Sequence, residues 1–61
     1  MKTLSRDEFE KMAVAVIKSI EENVELSPQQ FDTVVDVTTS TLAKSLQAMG
    51  YDLPFIQQRR N

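Results

Sequence analysis

Leu4-Ser5-Arg6-Asp7-Glu8-Phe9 and Leu26-Ser27-Pro28-Gln29-Gln30-Phe31 are built alike. In each, a Ser precedes a Glu or Gln by three positions. Its hydroxyl can then accept from the backbone N–H of the third helical residue, while that residue's side chain accepts from the Ser N–H. In each, a Leu stands before the Ser and a Phe five residues after the Leu, the pair that forms a hydrophobic staple. Both stretches therefore start helices. Their spacing leaves room for one helix, a short connection and a second helix, which predicts an all-α chain folded as an antiparallel hairpin. The residues that follow the two boxes diverge, so the likeness is helix-start chemistry and not a duplicated unit.

The first helix is expected over about 6–23. Turning about 100° per residue, Phe9, Met12, Ala13, Val16, Ile17 and Ile20 fall on one face, and Glu10, Lys11, Lys18, Glu21 and Glu22 oppose them. Asp7 and Glu8 suit the positive end of the helix dipole, and Asp7 precedes Lys11 by one turn. Val14 lies off the stripe among charges, beside Ile17, and is a candidate edge of a contact surface. Residues 23–26 form the connection, and Glu21, Glu22 and Glu25 make its tip acidic. Met1 to Thr3 is expected to fray.

The second helix is expected over about 28–49, with Pro28 at its first position and Gly50 as a left-handed stop. Tyr51 should then pack back on Leu46. Phe31, Val35, Thr38, Leu42, Leu46 and Met49 make one near-heptad seam, widened by Val34, Val37, Thr41 and Ala48 to nearly half the circumference. Asp32, Asp36, Ser40, Lys44 and Gln47 mark the wet side. Val and Thr from 33 to 41 favour strand by propensity, but the cap, the Gly stop and the 3.6 period favour helix. Residues 51–61 read as a docking tail: Tyr51, Leu53, Phe55 and Ile56 are large and apolar. Asp52 is a possible cap for a short terminal helix containing Pro54 and ending near Arg59 and Arg60. The tail serves either as a cover for the core or as a hook for a partner.

One domain over 1–61 is small for a stable core. Chains of this size draw on disulfides, a metal, oligomerisation or very regular packing, and this one has no Cys and no His. A broad apolar arc on one helix exceeds what a single neighbour can cover. The expected architecture is thus a homodimer in which two hairpins complete a four-helix bundle. Phe31, Val34, Val35, Val37, Thr38, Thr41, Leu42, Leu46 and Met49 supply its core and interface. Val14, Ile17, Tyr51, Leu53, Phe55, Ile56, Arg59 and Arg60 are candidates for contacting a partner.

The same composition weighs against most chemistry. Nucleophile-and-base pairs lack their commonest base, and a single Gly provides no phosphate-cradling loop. Asp32 and Asp36, one turn apart, are a weak half-site for a divalent ion, and carboxylates so placed are usually a solvated face. No cofactor, enzymatic activity or membrane segment is expected, and the cytoplasm is the default location. A net charge of −2 argues against a nucleic-acid-coating protein. The expected function is a small interaction protein, a regulator or inhibitor of a larger protein partner. One alternative is a hairpin dimer binding structured RNA through Lys11, Lys18, Arg59 and Arg60. Another is an oligomer that holds a small ligand between subunits, with Thr38, Thr39, Ser40, Thr41 and Ser45 lining the pocket.

Overall fold

The computed structural model describes residues 2–56 of the chain. Strand β1 (Lys2–Thr3) leads into helix α1 (Arg6–Asn23), which connects through residues 24–27 to helix α2 (Pro28–Ala48) and strand β2 (Tyr51–Asp52). The two helices contact each other as a hairpin.

Both helix starts close as their sequences dictate. The Ser5 hydroxyl accepts from the Glu8 N–H at 3.1 Å, and the Ser5 N–H donates to Glu8 Oε1 at 3.0 Å. At α2 the Ser27 hydroxyl accepts from the Gln30 N–H at 3.2 Å, and the Ser27 N–H donates to Gln30 Oε1 at 3.0 Å. Each box thereby satisfies N–H groups that a helix start leaves without partners. Leu4 packs against the cluster containing Phe9, as a staple requires. The Thr-rich middle of α2 stays helical while its hydroxyls bond back one turn. Thr33 Oγ1 donates to the Gln29 carbonyl at 3.2 Å, and Thr39 Oγ1 donates to that of Val35.

At the far end of α2, Met49 is the cap and Gly50 follows at φ 97°, a left-handed conformation open to Gly at little cost. The Gly50 N–H donates to the Gln47 carbonyl at 3.0 Å. The chain thereby reverses, and Tyr51 packs against the cluster that includes Leu46.

Two expectations are corrected here. Lys2 and Thr3 are not frayed: they pair in parallel with Tyr51 and Asp52, and the Leu4 N–H extends the ladder to the Asp52 carbonyl at 3.0 Å. Asp52 accordingly caps no helix, because its backbone is engaged in this pairing. Leu53 to Ile56 form a turn closed by the Ile56 N–H on the Leu53 carbonyl at 3.1 Å. The fold is thus a helical hairpin with a two-stranded parallel clasp across its open end. Arg59 and Arg60 lie outside the described residues.

The core sits at that clasped end. Phe9 and Ala13 from α1, Leu46 from α2 and Leu53 from the tail are each only 4–5% exposed. Leu4, Leu42, Ala43, Tyr51, Phe55 and Ile56 surround the cluster of Phe9, Leu46 and Leu53. Toward the tip the hairpin is thinner, and Ile17, Ile20, Phe31, Val34 and Val35 are only half-buried. The extents are 38 × 27 × 18 Å and the radius of gyration is 12.8 Å, against about 10.5 Å for a compact chain of this length. A single layer of two helices cannot bury side chains on both of its faces.

Candidate interaction surface

The two faces of this layer differ in charge. On α2, an uncharged half of the circumference carries Phe31, Val34, Val35, Val37, Thr38, Thr41, Leu42, Ser45 and Ala48, and Met49 caps the helix after it. Asp32, Asp36 and Lys44 all turn to the other half. Beside the uncharged half, Val16 of α1 meets Val37, Thr38, Thr41, Leu42 and Ser45 of α2 around a groove of about 290 Å³. Met12, one helical turn before Val16, extends the same face of α1.

Exposure concentrates on this side. Among the large hydrophobic residues left exposed are Met12, Val16, Val37 (57%) and Met49 (69%), with Val14 and Val24 elsewhere. Val34, Val35, Thr38 and Leu42 are half-buried at the base of the face, and Thr41 is exposed on it.

The opposite face is mixed in character. A groove of about 500 Å³ has Phe9, Ala43, Phe55 and Ile56 for its apolar floor and Arg6, Glu10, Asp36 and Lys44 on its rim. Thr39, Ser40 and Gln47 also line it. Asp32 and Asp36 are exposed there, and among the described residues no three His, Cys, Asp or Glu side chains cluster as metal ligands would.

The residues expected at the surface of association and at a partner contact differ in how far they are buried. Leu46 is buried within its own hairpin, so it has little surface to offer a second copy. Met49, which caps α2, is exposed. Leu53 is core, while Tyr51, Phe55 and Ile56 are half-buried around it. Val14 sits among Asp7, Glu10, Lys11, Ala15 and Lys18, separate from the uncharged face, and Ile17 is half-buried. Val16 joins the groove although it was not expected at an interface, and Ser45, expected only as a pocket lining between subunits, joins it too. A joint helical projection of both helices in antiparallel register would have placed them there.

The Ser5 backbone N–H, and after it the Ser5 hydroxyl, hold the Glu8 carboxyl below its ordinary range. Lys11 and Asp7 stand 3.9 Å apart at exposed positions, a pair of small energetic weight. No described helix is long and apolar enough to cross a membrane. Comparison with protein-family models, with curated proteins and with solved structures found no match.

Proposed function

We propose that this chain is a small, non-enzymatic interaction protein of the cytoplasm: a homodimeric regulator or inhibitor of a larger protein partner. Two hairpins together form a four-helix bundle, and the bundle is the unit that meets the partner. The observation that carries the reading is the imbalance between core and surface. Among the described residues four apolar side chains are buried, while large hydrophobic side chains lie exposed along one uncharged face. A contiguous apolar face on a soluble chain is usually an interface. Pairing two layers would also give the half-buried tip a second side, which adds burial to a chain whose length makes its core marginal.

Two measurements test this. Sedimentation at micromolar concentration should give the mass of two chains, and a compact monomer that unfolds cooperatively would overturn the dimer. Affinity capture from cell lysate, with and without nuclease, should retain a protein partner in both cases. Recovery of RNA alone would replace the proposal with the RNA-binding alternative.

A further inference from the structure

We infer that the groove floored by Phe9, Ala43, Phe55 and Ile56 takes this chain's own residues 57–61, with Arg59 and Arg60 set against Glu10 and Asp36. Those residues lie outside the described ones. Three features of the groove select them as its occupant, and none depends on the dimeric reading.

The first is attachment. Ile56 is the last described residue and itself lines the groove. The segment that follows therefore begins at the groove wall, and so short a tether holds it there at an effective concentration on the order of millimolar.

The second is the order of charge. Arg6 opens α1, and Lys44 stands about one turn before the end of α2, so both cations belong to the clasped end. Glu10 follows Arg6 by about one turn, and Asp36 precedes Lys44 by about two, so both acids lie farther toward the tip. Each wall thus runs from cation to acid, away from Ile56. Residues 57–61 have the complementary order: Gln57 and Gln58 bring no charge past the cations, and Arg59 and Arg60 follow. Among the described residues neither Glu10 nor Asp36 has an ion-pair partner.

The third is reach. Asp36 precedes Ala43 by seven residues, about 10 Å along the helix axis. An extended chain advances about 3.3 Å per residue, which carries Arg59 and Arg60 about 10–13 Å beyond Ile56. That brings them level with Asp36, and their long side chains span the groove to Glu10. Residues 57–61 then continue the cover that Leu53 and Phe55 begin, and they are not a hook for a partner. Exposed ion pairs hold this last part of the cover, so salt releases it.

The chain contains no Cys, so an introduced pair reports on this contact alone. Ser40 lines the groove and is exposed, whereas its neighbour Thr41 is exposed on the other face. Under mild oxidation in dilute solution, the chain with Ser40→Cys and Gln58→Cys should close an intramolecular disulfide. Thr41→Cys with Gln58→Cys should not. The tether alone favours the first closure, so its rate tests the charges. Adding Arg59→Glu and Arg60→Glu should slow it about threefold to tenfold, the scale of two exposed ion pairs. Adding Glu10→Lys and Asp36→Lys to that variant should restore it, and salt at about 0.5 M should slow the original pair likewise. Circular dichroism checks that helix is retained throughout. A rate indifferent to charge reversal overturns the docking, and so does equal closure at positions 40 and 41. A disulfide formed between chains would seat the segment on a second copy and overturn it too.

Discussion

Phe9 of α1 and Phe55 of the tail pack with ring centroids 5.3 Å apart and planes tilted by 51°. Tilted pairs at this distance set the positive edge of one ring toward the negative face of the other, and they add to what burial alone contributes. The contact joins the ninth residue to the fifty-fifth and makes the tail part of the core through Ile56.

That attachment predicts a large effect from a small truncation. Leu53→Ala should destabilise the chain by about 2–5 kcal/mol, the range for emptying a buried leucine site. Urea denaturation followed by circular dichroism measures it. A loss under about 0.5 kcal/mol, the scale of a surface substitution, would show that the tail rests on the hairpin without holding it.

Gly50 offers a test of backbone geometry alone. A Cβ added there meets nothing within 4 Å, yet the residue holds φ +97°. Gly50→Ala should therefore cost about 1–2 kcal/mol through conformational strain, with no steric clash to relieve. An unchanged melting midpoint would mean that the left-handed stop is not retained in solution.

The two capping boxes should respond differently to acid. Glu8 has its carboxyl lowered by the Ser5 N–H and hydroxyl, whereas Gln30 makes the equivalent contacts without titrating. A group whose folded pKa lies below its unfolded value stabilises fully above the unfolded value and loses that contribution as pH falls through the folded one. The Glu8 contribution should thus fade below pH 4.5, the ordinary value. Denaturation series at several pH values should show Glu8→Gln removing this part of the acid sensitivity. Equal acid sensitivity in the wild type and the variant would contradict the assignment.

Val14 should be dispensable for folding and self-association. It is exposed among Glu10, Lys11 and Lys18 and lies off the uncharged face. Val14→Lys should change stability by less than about 0.5 kcal/mol and leave the sedimentation profile unaltered. A shift to monomer would move the interface onto the outer side of α1.

The helix starts were legible in the sequence because their chemistry is local. Ser5 with Glu8 and Ser27 with Gln30 need only three residues to declare themselves, and both helices begin where those boxes place them. The division between core and surface was less legible. Leu46 and Leu42 share one seam by periodicity, yet Leu46 is buried and Leu42 is half-buried. The difference depends on which end of the hairpin the tail covers, and no single-helix pattern contains that. The clasp was not legible at all. Two-residue strands show no alternation, and the pairing of Lys2 with Tyr51 exists only after the hairpin has closed.

The same pairing gives the chain a definite response to tension. Lys2–Thr3 and Tyr51–Asp52 run in parallel, so a pull on the N-terminal end of the first and the C-terminal end of the second acts along the strands in opposite directions. Loaded in this way, the ladder bonds resist together in shear and are not peeled apart singly. Leu53 and Phe55, which follow the second strand, tie the same segment to both helices through the core, so the clasp and that packing take the load together.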